Sequence, residues 1–437
     1  MNPAAEALRA YLEHFYGKDY CLSAESSIDL HLGKTTIPQQ VIAMASQGRG
    51  KPVPLPFSTS LLIYADPARI PTEKEEVRGI QVMSLPLALC RTTPSFFSFQ
   101  PKNAEVALRM VSTPSDFIRI LLQENLKAAA GRIIGAYQFL KNDQMAKEIK
   151  EGLESVGFFV QVENPFTIPH PLITHLETRS SIAAQIFALW NGYRKDVIAQ
   201  FPKPPGLPKN KDAYLKLIQD KYAQDAYNSL SIEGYRVSKE LVKQVSDNHW
   251  NPDQNQEDKN SRDALAARGY YEAFQEVRQS VQKILQKAAP GDVLKEDLAR
   301  WYQKLFAPAA QVGIISPQDL FGYRRGQVYI RNSRHAPPAK ETLVDAMEAF
   351  FKCVKDEEHP AVRAVLGHFV FVYIHPYMDG NGRIGRFIMN AMLASGGYPW
   401  TIIHVENRDR YFAALEKASI EESIVPFTQF IKSELEA

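Results

Sequence analysis

At 437 residues the chain is too long for one ordinary hydrophobic core, so two or three domains are expected. With 45% hydrophobic and 23% charged residues and a net charge of +2, it has the composition of a soluble globular protein. That balance argues against a surface that coats nucleic acid generally, though not against a local basic patch. The three cysteines, Cys21, Cys90 and Cys353, are far apart and form no CxxC pair, so neither a disulfide framework nor a cysteine zinc site is indicated. No run approaches the ~20 apolar residues of a membrane span. The opening residues "MNPAAEALRAYLEHFYGKDY" lack the basic-then-apolar plan of a signal peptide, so a cytoplasmic protein is expected.

In chain order, residues 1–200 have a mixed character that points to an α/β or α+β domain. "TSLLIYADPARIP" and "EEVRGIQVMSLPLALC" read as short strands with proline and glycine breaks. "TPSDFIRILLQENLKAAAGRIIGAYQFL" reads as helix, with Ser115 as a cap. "FPKPPGLPKNKDAY" then packs prolines and a glycine into a few residues, and residues 201–211 are expected to be a solvated linker. Residues 212–310 turn helical: "DAYLKLIQDKYAQDAYNSL", "SRDALAARGYYEAFQEVRQSVQKILQKA" and "LKEDLARWYQKLFAPAAQ" carry apolar residues three and four apart. "WNPDQNQEDKNSRD", residues 250–263, reads as a polar loop between them. In residues 311–437, "GQVYIRNSRHAPPAKE" (326–341) alternates apolar and polar residues like an edge hairpin. "HPAVRAVLGHFVFVYI" (359–374) reads as a buried helix, and "RIGRFIMNAMLASGG" (383–397) as the next one, closed by Gly396 and Gly397.

Between those two helices lies "HPYMDGNGRIGR", residues 375–386. Pro376 ends the first helix, so the string is a loop running into a helix N-terminus. Gly380 and Gly382 permit backbone angles that let successive N–H groups point into one concavity, and the next helix adds its positive end. Arg383 and Arg386, three apart, occupy neighbouring positions on that helix. Together these make a phosphate cradle. Asp379 suits a magnesium ion that neutralises phosphates, and His375 is the one group able to accept a proton near neutral pH.

The string resembles the Fic family signature HPFx(D/E)GNGRxxR, with Tyr377 in place of the usual Phe. The resemblance covers about residues 210–437 and implies a mainly α Fic fold with a β-hairpin flap. It implies an adenylyltransferase that moves AMP from ATP, with Mg2+, onto a Ser, Thr or Tyr hydroxyl of a target protein. By that resemblance His375 is the base and Asp379 holds magnesium. Asn381 and the loop amides of Gly380 and Gly382 hold the α-phosphate, and Arg383 and Arg386 serve the β- and γ-phosphates. The 326–341 stretch would be the flap that clamps the target by strand addition. "NRDRYFAALEKAS" (407–419) would border the adenine, with Tyr411 as the nucleotide contact, although Tyr411, Phe412 and Leu415 also fit a core, and Ser419 stands about where relatives often have Asn.

"NSLSIEGYRVS" (228–238) fits a second family pattern, [ST]xxxE[GN], through Ser229, Glu233 and Gly234. The resemblance implies an inhibitory helix whose Glu233 pairs with Arg386 and takes the place of the γ-phosphate. Alternatives stay open: removal of AMP, transfer of UMP or phosphate, and a toxin–antitoxin type of regulator. The last rests on residues 1–200, where "YCLSAESSIDLHLGKTTIPQQVIAMA", "LPFSTSLLIYADP" and "VRGIQVMSLPLAL" resemble AbiEi-type antitoxins and transcriptional regulators, which often begin with a winged helix. No recognition helix rich in Arg or Lys stands out, so DNA contact and partner recruitment are equally open, as is a homo-oligomer.

Overall fold

The computed structural model describes residues 3–34, 36–48, 50–166, 180–247 and 262–436. Most of the polar loop expected at 250–263 therefore lies outside the described residues. The chain divides into two compact units, residues 1–192 with 329–339, and residues 193–328 with 340–437.

The first unit combines a small sheet with a set of short helices. Strands β1 (Tyr20–Leu22), β2 (Gln40–Ala45), β3 (Val53–Leu55) and β4 (Thr59–Ala65) form one sheet in the order β1-β2-β4-β3. The central pair β2–β4 is parallel, running from Gln40↔Ser60 to Ala45↔Ala65, and both outer pairs are antiparallel. β5 (Glu75–Val77) and β6 (Ile80–Val82) make a separate hairpin. Its turn is Arg78–Gly79, both at positive φ, the conformation that two-residue hairpin loops require. Leu12, Tyr20, Ala43, Leu61, Ile63 and Val82 form the core around the sheet. A second core, including Phe97, Leu108, Phe117, Ile134 and Tyr137, sits among the helices. The expected helix near 113–140 is in fact two, Pro114–Gln123 and Lys127–Phe139, broken where Asn125 adopts φ +54°. Ser115 is not its cap: the helix starts at Pro114, so Thr113 takes the N-cap position and Ser115 falls in the first turn.

The second unit is helical. Pro360–Ile374 is hydrophobic on every face and is accordingly buried all round. Asn381–Ala394 packs along it, and its last turn closes with Gly397 at φ +79° and Tyr398 N–H donating back to Leu393 O (3.2 Å). Arg262–Leu285 and Pro290–Gln311 run against each other, and Gly269 lets them touch, since a Cβ there would strike the Leu305 carbonyl. Lys211–Ile232 packs on the Arg262–Leu285 helix.

Two further features differ from the sequence reading. The proline-rich stretch lies inside the second unit, not between units, and docks on it. Gly206 N–H donates to Gly396 O (3.0 Å), Tyr398 Oη donates to Pro202 O (2.6 Å), and Phe201 packs edge-on to the Tyr398 ring. Prolines keep the backbone extended, so the segment is held by single bonds to a neighbouring segment, accepting at the Pro202 carbonyl and donating from the Gly206 N–H. The expected flap hairpin is also not formed. Residues 326–341 contain no strand; the chain turns at Ile330–Ser333, with Asn332 at φ +61°. His335 instead makes a single antiparallel bridge with Thr36, and Ile37 N–H donates to Arg334 O (3.1 Å).

Candidate active site

The Pro360–Ile374 helix ends at His375, which sits in the left-handed region at φ 52°, ψ 57°. That conformation is unfavourable for a residue with a Cβ, and it turns the imidazole out of the helix line. His375 Nδ1 lies 3.3 Å from Val372 O. A carbonyl can only accept, so Nδ1 carries the proton and Nε2 keeps its lone pair. Burial pushes the imidazole down to about 4; the Val372 bond opposes this, and the Arg324 charge adds to it. His375 is thus a neutral base at pH 7.

The loop after it is fixed from inside. Tyr377 is buried and stacks on Tyr302 at 3.7 Å with the rings 5° from parallel. Its N–H donates to Asn381 Oδ1 (3.0 Å), and Asn381 Nδ2 donates back to Tyr377 O (2.8 Å). The Asn381 amide, 1% exposed, is therefore spent on shaping the loop, which leaves the backbone as that residue's group for a ligand. Gly380 has φ +81°, and a Cβ there would meet Phe306 at 2.7 Å, so only glycine fits. Asp379 points outward with its side chain 56% exposed. One oxygen accepts Gly380 N–H (2.6 Å); the other is 3.3 Å from Arg383 Nη2.

Both arginines are buried. Arg383 is held between the rings of Tyr235 and Phe306, its Cζ 5.0 Å from each centroid. Its Nε and Nη2, and Nη1 of Arg386, have no hydrogen-bond partner among the described residues. Arg383 Nη2 still has the Asp379 carboxylate at 3.3 Å, but Arg383 Nε and Arg386 Nη1 are buried guanidinium nitrogens without an acceptor at one loop, which is what an anion site predicts, because such groups are otherwise costly to bury. A cavity of about 560 Å³ opens beside Asp379 and Arg383, walled by Tyr302, Leu305, Phe306 and Met378.

Ser229 and Glu233 meet the same site. Arg386 Nε donates to Ser229 Oγ (2.8 Å), and Nη2 donates to Ser229 O (3.0 Å) and to Glu233 Oε1 (2.8 Å). Burial weakens the Arg386 charge, but Glu233 more than restores it and the net shift is upward. The Glu233 carboxylate lies directly over Gly382, where any Cβ would collide with it. It thus occupies the mouth of the anion cradle. Gly234, at φ +87°, ends the helix, and Tyr235 N–H closes back on Leu230 O (3.1 Å).

Sequence reading missed several supports. Asp225 accepts from Tyr270 Oη (2.7 Å), and burial pushes its carboxyl up to about 6. Its signal was available: Asp225, Ser229 and Glu233 recur every four residues on one helix face. Tyr302, Phe306 and Tyr235 carried no such signal. Tyr411 is 1% exposed, among Phe412, Phe427 and Phe430, with its hydroxyl 2.8 Å from His368 Nε2. It is a core residue beneath the site and offers no open face to a base.

No group of three or more His, Cys, Asp or Glu side chains able to hold a metal occurs among the described residues. Asp379 alone fits an ion that takes its other ligands from phosphates and water. No helix of the described residues is long and apolar enough to cross a membrane.

Residues 292–393 match the Fic/DOC family. Protein adenylyltransferase Fic of Drosophila yakuba is 30% identical over 218 residues, 49% of this chain and 40% of that protein. The protein of the same name from Nematostella vectensis is 41% identical over 124 residues, 28% of each chain. The chain thus spans less than half the length of these curated relatives. Fic-1 (residues 134–508) of C. elegans aligns over 77% of this chain and 90% of its own, at 16% identity and a TM-score of 0.43. A Fic domain containing signaling protein from Bacteroides thetaiotaomicron covers 58% and 92%, at 20% identity and a TM-score of 0.40. The loop, its two arginines and nearly all of the helix that carries them accordingly fall within the stretch, residues 292–393, that matches the Fic/DOC family.

Proposed function

We propose that the chain is an autoinhibited protein adenylyltransferase, transferring AMP from ATP to a hydroxyl of a target protein and of itself. The observation that carries this reading is a neutral His375 beside an anion cradle in which the buried Arg383 Nε and Arg386 Nη1 lack acceptors. In this reading His375 Nε2 takes the proton of the target hydroxyl as its oxygen bonds to the α-phosphorus, and pyrophosphate leaves. The loop amides and Arg383 bear the phosphate charge. Asp379 is the residue that would hold Mg2+, which supplies charge neutralisation when bound. Glu233 competes with the terminal phosphate for Arg386.

A second reading, removal of AMP by the same loop, draws on Glu233 standing over Gly382, where a carboxylate could orient a water. The test uses ATP labelled at the α- or the γ-phosphate with the Glu233→Gly chain. Label retained on protein only from the α position supports AMP transfer; label only from the γ position makes the enzyme a kinase and overturns the reading. An AMP-modified substrate that loses AMP with the parent chain and not with Glu233→Gly favours the second.

A further inference from the structure

Arg324 belongs to "FGYRRG", a stretch without an evident role in the sequence. In the fold it is 5% exposed and grips the catalytic loop from behind. Its Nε donates to the His375 carbonyl (2.9 Å), its backbone N–H donates to the Pro376 carbonyl (2.9 Å), and its Nη1 donates to Gly326 O (2.9 Å). The two carbonyls that follow the helix, which have no intrahelical partner, are thus both taken by one residue. We propose that Arg324 is a positioning residue for the base: by holding the His375 and Pro376 carbonyls it maintains the left-handed turn that presents Nε2 to the site.

The residue type fits the task. A guanidinium can bond the His375 and Gly326 carbonyls at once in a fixed fork; an ammonium reaches one of them without fixing direction. The turn needs such a hold, because His375 at φ 52° is in a region a side-chain-bearing residue avoids. Three charged groups bear on the imidazole: Arg324, which disfavours its protonation, and Glu233 and Asp379, which favour it. Loss of Arg324 therefore frees the ring's orientation and raises its affinity for a proton.

The proposal rests on the adenylyltransferase reading for its kinetic test and stands apart from it in a second measurement. In the full chain carrying Glu233→Gly, self-modification is followed against ATP concentration with Arg324, Arg324→Lys or Arg324→Ala. Misplacing a base by about 1 Å costs on the order of a hundredfold, so Arg324→Ala should lower kcat by roughly ten- to a hundredfold. KM for ATP should stay near its parent value, since the cradle is untouched. Arg324→Lys should recover only part of kcat. In parallel, the imidazole resonances of the full chain are titrated by NMR, with His375 assigned by its loss in His375→Ala. His375 should take its proton at higher pH in Arg324→Ala, and near the parent pH in Arg324→Lys. An unaltered kcat in either variant, a loss confined to KM, or an unmoved His375 titration in Arg324→Ala overturns the proposal. If Arg324→Ala does not fold, the Lys variant decides. If Glu233→Gly itself transfers no AMP, the activity reading fails, and the NMR titration still judges Arg324.

Discussion

At the scale of single residues, the base and the acid of the loop are set apart by their surroundings. His375 is half-buried and neutral; Asp379 is the more exposed, with one carboxylate oxygen 3.3 Å from Arg383 Nη2. Because the folded His375 lies below the ordinary value of 6.5, the unfolded chain binds its proton more readily across the window between about 6.5 and about 4. Its contribution to stability is full above that window and is lost as the pH falls through it. The same displacement sets the kinetics: kcat/KM of the Glu233→Gly chain should be flat from neutral pH down to mildly acidic solution, with its acid limb below pH 6. A limb centred near 6.5 would mean the imidazole is solvated. His375→Ala should leave thermal unfolding above pH 7 within about 1 kcal/mol of the parent and lower AMP transfer by ~10²–10⁴. Asp379→Ala should abolish most transfer and weaken magnesium binding in the presence of ATP, read by metal titration. Unchanged magnesium affinity would place the ion on other ligands.

At the scale of elements, the Lys211–Ile232 helix is a structural member and, in the proposed reading, a brake. It is fastened along its length to the segment after the catalytic helix. Lys221 Nζ donates to Trp400 O (2.9 Å), Val405 N–H donates to Asn228 Oδ1 (2.9 Å), and Arg408 Nε donates to Ile232 O (2.8 Å). A helix held at so many points does not swing away cheaply, so in the proposed reading relief of the inhibition falls to the Glu233 side chain at its end. Glu233→Gly should raise AMP transfer by roughly ten- to a hundredfold. The bond it removes is charge-assisted, worth ~1.5–3 kcal/mol, and each ~1.4 kcal/mol shifts the blocked and competent populations tenfold. Arg386→Ala should not mimic it, because Arg386 is also a phosphate ligand in this reading. Equal labelling of parent and Glu233→Gly, at equal folded concentration, would remove the autoinhibition claim. Much of this element was legible: its apolar spacing gave the helix, and the pattern of Ser229, Glu233 and Gly234 pointed to the contact with Arg386. The Asp225–Tyr270 contact beneath it was not, since its two partners lie 45 residues apart and meet only when the helices pack. Tyr411 misled for the same kind of reason. Its spacing suits either a pocket or a core, and only the ring of aromatic neighbours decides for the core.

At the scale of the molecule, what the sequence concealed was partnership between distant segments. Residues 326–341 alternate as a hairpin should, yet a hairpin forms only if its arms pair with each other. Here a remote partner wins: Arg334 and Ile37, 297 residues apart, exchange bonds in both directions, with Arg334 Nη2 donating to Ile37 O (2.8 Å) and Ile37 N–H donating to Arg334 O (3.1 Å). Residues 329–339 consequently pack with residues 1–192 as one compact unit, which gives those residues a structural task without any nucleic acid. Basic and acidic residues balance over 1–192, which adds nothing to a DNA-binding reading. The arrangement predicts how 329–339 is held. Arg334→Ala removes a charge-assisted bond of ~1.5–3 kcal/mol and leaves the Ile37 amide protected only by the backbone contact. Amide exchange at Ile37 occurs through local opening, so its rate should rise by about ten- to a hundredfold in the full-length variant. Amides of the Pro360–Ile374 helix, in the other unit, should exchange as in the parent. Peptide-resolved hydrogen exchange at pH 7 reads both. Unchanged protection at Ile37 would show that Arg334 does not hold the segment. Faster exchange throughout would show that its loss destabilises the whole fold, and only the local pattern fits a clamp confined to residues 36–37 and 333–336.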